Sequence, residues 1–283
     1  MKKRRILRLM IYLIVAAVFL FSAFYNGLVF RNYTVYSDRI SLGNSIRIVL
    51  IADLHSHIYG ENQIHIAERI RSQKPDIIAL AGDIADDQVP IDGTKLFLEA
   101  VKGISPIYYV SGNHEVWTGE LDSIKKLFRS YGAHVLENTY LRESIKGEEV
   151  VICGADDPDV QRYKGSDYNW EDELYKAFYS LGAEKGYKIL LSHRPERVDA
   201  YKSLPFDLVL SGHSHGGQVR IPFLLNGLLA PHQGWFPKYA GGLYKHDEMT
   251  HVVSRGVSYN PRLPRIFNPP EIVVIDILGK KIN

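Results

Sequence analysis

Short apolar segments rich in β-branched residues alternate along this chain with longer stretches of mixed apolar and charged positions. The short apolar segments predict buried strands at residues 46–51, 77–80, 107–110, 189–191 and 208–210. The mixed stretches predict amphipathic helices at residues 62–73, 94–102, 121–131 and 170–181. Strands and helices that alternate in this way are typical of α/β proteins.

Two further apolar runs lie at residues 150–153 and 271–278. No predicted helix separates either run from a neighbouring strand in the sequence. Such runs indicate that the sheets are mixed rather than purely parallel. The length after residue 44 suits one large domain. We therefore predict an α/β fold, with two mixed β-sheets packed face to face and flanked by helices, over residues 45–283.

The N-terminal residues have a different pattern, because a basic cluster precedes a long uncharged run. Five basic residues lie in the first eight positions, and the 22 residues from 9 to 30 carry no charge. At about 1.5 Å per residue, a helix of that length crosses a hydrocarbon core of about 30 Å. We predict a single-pass signal anchor at residues 1–30, a linker at 31–44, and a domain outside the cytoplasm, because basic flanks stay on the cytoplasmic side.

A cleaved signal peptide is the alternative to this anchor. The apolar run is long for a signal peptide, and it ends in Phe24-Tyr25-Asn26-Gly27 rather than at a pair of small residues suited to cleavage. Arg4-Arg5 also permits twin-arginine export, although the residues after this pair match that signal poorly. A retained helix in the cell membrane is the prediction.

Polar side chains follow each of the five predicted strands. The segments concerned are Asp53-Leu54-His55, Gly82-Asp83, Gly112-Asn113-His114-Glu115, Ser192-His193 and Gly212-His213-Ser214-His215. Ligands of α/β sheets bind beyond the carboxyl ends of the strands, so these segments are expected to converge on one crevice. The glycines before Asp83, Asn113 and His213 suit abrupt turns or close backbone approach.

The side chains in these segments are of the types that bind metal ions in proteins. In Asp53-x-His55 and His213-x-His215, residues two apart on an extended backbone point to the same side. Carboxylate, imidazole and amide ligands suit two divalent ions such as Mn²⁺, Fe or Zn²⁺. These ligand types do not determine which of the metals binds. A carboxylate can bridge two ions, and Asp83 is the natural bridge. Two ions about 3.5–4 Å apart would clamp a phosphoryl oxygen and activate water for attack on phosphorus.

These motifs, in this order, resemble the calcineurin-like metallophosphoesterase family, and in particular its membrane-anchored prokaryotic branch. Gly212-His213-Ser214-His215-Gly216-Gly217-Gln218, Ser254-Arg255-Gly256 and Pro269-Pro270-Glu271 also resemble that branch. The resemblance implies a metal-dependent phosphoric ester hydrolase. It implies a first metal held by Asp53, His55 and His215, and a second held by Asn113, His193 and His213, with Asp83 bridging both.

The resemblance also implies roles for the two residues after Asn113. His114 matches the catalytic histidine of the family, which donates a proton to the leaving oxygen or stabilises charge in the transition state. Glu115 stands where many members of the family have aspartate, and it is expected to orient the histidine.

Other candidate residues have competing interpretations. Arg194 and Arg255 suit bidentate contacts to a substrate phosphate, but arginine is also an ordinary surface residue. The acids of Asp156-Asp157 are interpreted as part of a turn. The apolar segment at residues 221–244 suits a flap facing lipid or substrate, or core packing. Asp53 also suits a helix cap. No role is predicted for the remaining histidines, His57, His65, His134, His232, His246 and His251.

Composition excludes several classes of site and partner. The chain has 34 basic and 32 acidic residues, and without the first eight positions it carries a formal charge of −3. We therefore predict no nucleic-acid surface. The single cysteine, Cys153, excludes an intrachain disulfide and a thiolate metal cage, and its apolar surroundings predict burial.

The predicted function is hydrolysis of a phosphodiester or pyrophosphate, on a lipid-linked or cell-envelope substrate because the anchor keeps the domain near the bilayer. One alternative, also from the resemblance, is hydrolysis of UDP-diacylglucosamine in lipid A synthesis, although a nucleotide sugar is expected on the cytoplasmic face. An alternative of another class is a non-catalytic metal-binding envelope protein. The complete set of ligand types and His114 favour the enzyme.

Overall fold

The computed structural model describes residues 2–259 and 263–281 of the chain. Its α-helices are α1 (Lys2–Ala23), α2 (Ile64–Ser72), α3 (Asp92–Val101), α4 (Asn113–Trp117), α5 (Leu121–Ser130), α6 (Trp170–Phe178) and α7 (Val198–Lys202). Its first seven strands are β1 (Val29–Ser37), β2 (Ser45–Ile51), β3 (Ile77–Ala81), β4 (Ile107–Val110), β5 (His134–Val135), β6 (Thr139–Ile145) and β7 (Glu148–Gly154). The others are β8 (Tyr187–Leu191), β9 (Leu208–Ser211), β10 (Leu229–Ala230), β11 (Gly234–Trp235), β12 (Gly242–His246), β13 (Met249–Val253) and β14 (Glu271–Gly279).

Two six-stranded sheets form the framework. The first has the strand order β1-β14-β2-β3-β4-β5, and the second has the order β12-β13-β9-β8-β7-β6. The pairs β14–β2, β12–β13 and β6–β7 are antiparallel, and the other pairs of these two sheets are parallel. Both sheets are therefore mixed, and the predicted α/β fold is confirmed.

Alternate residues of the central strands face different layers. Ile48 and Leu50 of β2 pack between the sheets, with Ile189 and Leu208 of the second sheet. Val49, one position along, packs instead among residues of α2, α3 and α5. A third cluster joins the outer face of the second sheet to α6 and α7. Burial on both faces explains the continuous apolar runs, because neither face of these strands meets water.

One edge of the two sheets carries the carboxyl ends of β2, β3, β4, β8 and β9, and we call it the site edge. Because β14 runs antiparallel to β2 and β1 runs parallel to β14, the amino ends of β1 and β14 also lie at this edge. The last residue of α1, Ala23, accepts a hydrogen bond of 2.7 Å from the backbone N–H of Phe267, shortly before β14. The apolar helix therefore joins the folded domain at the site edge.

The structure corrects two predicted boundaries near the N-terminus. The predicted linker at 31–44 is wrong over residues 31–37, because they belong to β1, which pairs with β14 along its whole length. The apolar run of residues 9–30 does not form one helix. The helix ends at Ala23, and Leu28 packs into the domain core. The helical segment long and apolar enough to cross a membrane is Lys3–Ala23.

Gly93 permits a close approach between α3 and the loop after β2. A Cβ atom at this position would lie 1.7 Å from the backbone oxygen of Ser56, and Gln63 also donates to the Gly93 carbonyl at 3.1 Å. We expect Gly93→Ala to lower the free energy of unfolding by about 1–3 kcal/mol, because backbone must move to make room. Urea denaturation of the full chain in detergent measures this change.

Gly182→Ala is the matched control for that substitution. A Cβ at Gly182 meets no atom within 4 Å, and its φ angle is not positive. We expect stability within about 0.5 kcal/mol of the parent protein, or slightly above it. Equal stability of the two alanine variants would contradict the proposed steric role of Gly93.

Candidate metal centre

The candidate ligands follow the carboxyl ends of five strands. Asp53 and His55 follow β2, Asp83 follows β3, Asn113 follows β4, His193 follows β8, and His213 and His215 follow β9. Several of them have left-handed backbone conformations: Asp53, His55, Asp83, His213 and His215. Each such conformation costs on the order of 1–3 kcal/mol outside glycine. The extended backbone predicted for Asp53-x-His55 and His213-x-His215 is therefore wrong, although both pairs do reach the same site.

Two clusters bring these side chains together. The potential ligand atoms of Asp53, His55 and His215 lie within 4.8 Å of one another, and so do those of Asp83, His193 and His213. The clusters meet at Asp53, whose two carboxylate oxygens accept from the backbone N–H of His213 at 3.0 and 3.1 Å. They also meet at Asp83 Oδ2, which lies 3.9 Å from His55 Nε2 and 2.9 Å from His193 Nε2.

Three candidate ligand atoms are buried. His55 Nε2 and Asn113 Oδ1 make no hydrogen bond, and Asp83 Oδ2 has His193 Nε2 as its neighbour at 2.9 Å. Buried polar atoms without a partner are costly, and in a native protein they usually meet an ion or another partner. Their nitrogen and oxygen chemistry fits two divalent ions. Residues from both predicted ligand groups therefore form a site suited to a metal pair.

Two of the candidate histidine ligands have their second ring nitrogen held by another group. His55 Nδ1 lies 2.8 Å from Asp86 Oδ2, and His193 Nδ1 lies 2.8 Å from the Ala81 carbonyl. An N–H donated to such an acceptor leaves Nε2 free to bind a metal. Asp86 was not among the predicted site residues, although it lies only three positions after Asp83.

Burial and charge adapt the histidines to this environment. Burial lowers the pKa of His213 and His215 well below the ordinary value, and neighbouring cationic histidines add to the effect. Both rings are therefore neutral near pH 7, as metal ligands must be. Burial also opposes protonation of His193, but the charge of Asp83 outweighs it and raises the pKa of His193 to about 10. A metal that binds His193 displaces a proton, so metal affinity rises with pH.

Glu115 has a different position from the predicted one. It does not bond the His114 ring. Its carboxylate accepts four backbone N–H groups at 2.7–2.9 Å, those of Asp83, Ile84, Ala85 and Gly112. The side chain is fully buried. It therefore ties the loop after β3 to the turn before α4, and so joins the segments that carry Asp83 and Asn113.

The group that holds His114 is Asp87. Its Oδ1 lies 2.6 Å from His114 Nδ1, and Asp86 Oδ2 lies 3.4 Å from the same nitrogen. The His114 ring packs edge-on against the ring of His55, with centroids 4.5 Å apart. The Asp86-Asp87 pair therefore supports both a candidate ligand and the candidate catalytic histidine, and its place after Gly82-Asp83 was the available sequence signal.

Neither candidate arginine is an ordinary surface residue. Arg194 is buried, and its guanidinium contacts Asp157 through Nε at 2.6 Å and through an NH₂ group at 3.1 Å. Asp157 was interpreted as part of a turn; it caps the turn after β7, but it is also fully buried against Arg194. Arg255 lies against Glu271, with Nε 3.4 Å from its carboxylate. Both arginines thus have carboxylate partners already.

His232, for which no role was predicted, lies beside the second cluster. Its Nδ1 is 2.9 Å from His213 Nε2 and 2.7 Å from an NH group of Arg194. The residue comes from the apolar segment at 221–244, between β10 and β11. The first part of that segment is not packed in the core, because its large apolar side chains are exposed: Ile221, Phe223, Leu224, Leu229, Trp235 and Phe236.

The predicted need for glycines beside the ligands is confirmed. A Cβ at Gly82, whose φ is 80°, would lie 2.6 Å from His193 Nδ1. A Cβ at Gly112 would lie 2.3 Å from Asp83 Oδ1, and one at Gly212 would lie 2.7 Å from Asp53 Oδ2. Only glycine lets the loops approach this closely around the cluster.

The chain has recognisable relatives among known proteins. A model of the calcineurin-like phosphoesterase family matches residues 46–217, a range that contains all seven candidate ligands and His114. A metallophosphoesterase of Aquifex aeolicus is 30% identical over 256 residues, which cover 88% of this chain and 92% of the relative. A transmembrane protein with a metallophosphoesterase domain from Danio rerio is 30% identical over 243 residues, 82% of this chain and 53% of that protein.

One solved structure with the same fold is the NAD nucleotidase of Haemophilus influenzae. It superposes with a TM-score of 0.55 at 16% identity, over 76% of this chain and 46% of that chain. The chain spans about half the length of that protein and of the Danio rerio relative. At this identity the likeness concerns the fold alone.

Proposed function

Because the chain belongs to the calcineurin-like phosphoesterase family and is therefore a metal-dependent phosphoester hydrolase, we propose that it cleaves a phosphodiester or pyrophosphate of a lipid-linked or cell-envelope substrate. The observation that carries the proposal is the pair of buried ligand clusters joined at Asp83. The apolar helix that meets the domain at the site edge supports a substrate close to the bilayer.

In this proposal seven side chains would hold two divalent ions, and Mn²⁺, Fe and Zn²⁺ all suit them. Asp53, His55 and His215 would hold the first ion, Asn113, His193 and His213 would hold the second, and Asp83 would serve both. Bound metals supply a Lewis acid for the phosphoryl oxygens and lower the pKa of water. The protein fixes the ligand geometry through Glu115, which holds the backbone on either side of the pair.

His114 is the proposed catalytic residue. With its Nδ1–H donated to Asp87, the opposite nitrogen, Nε2, is the atom from which a proton can pass to the leaving oxygen. The carboxylate of Asp87 fixes the orientation of the ring. Asp87 acts through the histidine and is therefore a positioning residue. Arg194 and Arg255 remain candidates for substrate contact, with less weight because each already has a carboxylate partner.

We propose that α1 is a retained single-pass membrane anchor, and that the basic residues before its apolar part stay in the cytoplasm. The catalytic domain then lies on the outer side of the membrane. We propose that this domain begins at residue 28 rather than 45, because Leu28 packs in its core and β1 pairs with β14.

Asp87→Asn tests the positioning role. We expect kcat to fall by about 10–100-fold, as for the loss of other carboxylates that orient site histidines, while KM and metal content stay unchanged. Steady-state kinetics and metal analysis of the same preparation measure these quantities. In a His114→Ala background the additional effect of Asp87→Asn should vanish; a further tenfold loss there would show that Asp87 acts on something other than the histidine.

The proposed reaction is tested with the full chain in detergent, stripped by chelation and reloaded with Mn²⁺. Bis-p-nitrophenyl phosphate and p-nitrophenyl phosphate provide a diester and a monoester with the same leaving group. We expect the diester to be hydrolysed, and turnover to require metal. Hydrolysis of the monoester alone would contradict the diester proposal. Hydrolysis of neither ester by protein shown to contain two ions would leave a narrow pyrophosphate or lipid specificity, or the binding role.

A further inference from the structure

The segment after the last candidate ligands forms a projecting flap, defined here as residues 221–239. Ile221 and Leu225 exchange backbone hydrogen bonds of 3.0 and 2.9 Å, which close a tight loop. The short strands β10 and β11 then form a hairpin, with residues 231–233 between them. The flap begins four positions after the last residue matched by the family model, and it carries several large, exposed apolar side chains.

Four of these side chains are largely exposed to solvent. Phe223 is fully exposed, Leu224 is 85% exposed, and Trp235 and Phe236 are each 66% exposed. A cluster of this kind on a folded domain marks a surface that contacts another apolar phase. Tryptophan and phenylalanine are also side chains favoured where a protein meets the interface of a bilayer.

The backbone holds two of these aromatic residues outward in a conformation that bulky side chains avoid. Phe223 has a φ angle of 69° and Phe236 has one of 57°. Left-handed conformations of bulky residues are unfavourable and persist where surrounding structure imposes them, often at functional surfaces. Because both rings are exposed to solvent, packing within the domain does not explain this arrangement.

The base of the flap is connected to the end of α1. The backbone N–H of Arg220 donates to the Ile266 carbonyl at 2.9 Å, and the backbone N–H of Ile266 donates to the Gln218 carbonyl at 3.1 Å. The next residue, Phe267, bonds to the last residue of α1, and its ring lies 5.3 Å from the ring of Phe19 on the helix. The segment that holds the flap therefore packs on the helix proposed to cross the membrane.

The metal centre lies on the same side. Three backbone hydrogen bonds show this. The N–H of Ser258 donates to the Asp53 carbonyl at 2.9 Å, that of Glu271 to the Gly256 carbonyl at 3.0 Å, and that of Val29 to the Pro270 carbonyl at 2.9 Å. These hydrogen bonds form a short path from a candidate ligand to the residues directly after α1. The site edge, the flap base and the end of the helix therefore belong to one face of the domain.

We infer that the flap inserts its exposed apolar side chains into the same bilayer that α1 spans, so that the metal centre faces the lipid headgroups. The partner is the lipid surface itself. The inference rests on the proposed membrane anchor and deepens the proposed function, because it lets a lipid phosphate reach the metals while its acyl chains stay in the bilayer. The hairpin carries Trp235 near its base and His232 beside His213, so it also connects the lipid contact to the second cluster.

Site-directed labelling of the full chain tests this inference. The native thiol, Cys153, is buried, and burial raises its pKa, so a maleimide dye reacts with an introduced cysteine instead. Leu224→Cys places an environment-sensitive dye on the flap. Leu42→Cys is the matched control, because Leu42 is also an exposed leucine and lies between β1 and β2, at the edge of the sheet opposite the site edge. Val15→Cys reports on α1.

The labelled proteins are reconstituted in nanodiscs of phosphatidylcholine and phosphatidylglycerol that contain spin-labelled lipid. We expect the dye at position 224 to show blue-shifted emission and to lose about half or more of its intensity to a spin label near the headgroups, as interfacial insertion requires. The dye at position 42 should emit as in water and keep its intensity. Hydrolysis of the soluble diester by each labelled protein verifies that the fold is retained.

The outcomes separate the flap from the anchor. If the dye at position 15 reports hydrocarbon while the dye at position 224 behaves like that at position 42, the anchor stands and the flap inference is wrong. If the dye at position 15 also reports water, the proposed anchor is wrong and the flap inference falls with it. Neither result changes the hydrolytic activity measured on the soluble diester, so the proposed reaction is tested separately.

Discussion

Asp83→Asn should reduce metal-dependent diester hydrolysis by about 1000-fold or more, because it removes the carboxylate proposed to bridge both ions. Asp83 is buried, and its Oδ2 lies 3.9 Å from His55 Nε2 and 2.9 Å from His193 Nε2. Its Oδ1 accepts from the backbone N–H of His114 at 2.8 Å. Asparagine can preserve that bond but lacks the charge and the second ligand oxygen.

This result is measured as kcat/KM with bis-p-nitrophenyl phosphate, together with metal content by mass spectrometry. We expect the Asn variant to retain at most one ion per chain. Asp92→Asn is the matched control, since Asp92 is an exposed aspartate at the start of α3 with a side chain 73% exposed. Undiminished turnover in Asp83→Asn protein would exclude the two-metal reaction, and would leave the carboxylate a structural role only.

The same variant separates an enzyme from a metal-binding protein. His193 and Asp83 form a charged pair, and the charge of His193 helps to hold the pKa of Asp83 well below its ordinary value despite burial. Loss of the Asp83 carboxylate charge weakens metal binding whether or not the protein is an enzyme. Only an enzyme also loses turnover of a phosphodiester, so kinetics rather than metal content decides between the two.

Glu115→Gln should lower the free energy of unfolding by about 3 kcal/mol or more, because buried N–H groups lose their acceptor. The carboxylate accepts from four backbone N–H groups, and glutamine presents one acceptor oxygen and an amide group that repels the remaining donors. Burial and the charge of Asp83 raise the pKa of Glu115 to about 7, and the N–H donors oppose that shift.

Urea denaturation of the full chain in detergent measures the loss. Activity should fall as well, since the segments that carry Asp83 and Asn113 are no longer held together. Glu115→Asp is the control that keeps the charge while shortening the side chain, and we expect it to lose about half as much stability. If Glu115→Gln unfolds within about 0.5 kcal/mol of the parent protein, the four hydrogen bonds do not support the site as described.

The strands and candidate ligands were predictable because both leave a local signature. A strand buried on both faces, such as β2 or β8, requires a continuous apolar run, and the polar residues that follow it mark its carboxyl end. The predicted helices lie within a few residues of α2, α3, α5 and α6 for a similar reason, since each buries one face. The order of the motifs then indicated the family.

The edge strand β1 was not predicted, because the end of the apolar run hid its beginning. Residues 29–37 contain alternating polar and apolar side chains, but Val29 and Phe30 continue the uncharged stretch of the helix. Only the pairing of β1 with β14, more than 230 positions later in the chain, defines the strand. The same pairing places the end of the apolar helix α1 at the site edge.

By itself, the sequence determined the buried strands, the residue types at their carboxyl ends and the close approach of glycines, because periodicity and spacing act over a few neighbouring positions. Tertiary structure alone decided that Asp87 holds His114, that Glu115 holds four backbone N–H groups, and that His232 reaches His213. These contacts join loops from different strands. Their geometry depends on how both sheets pack, and no local pattern in the chain records that packing.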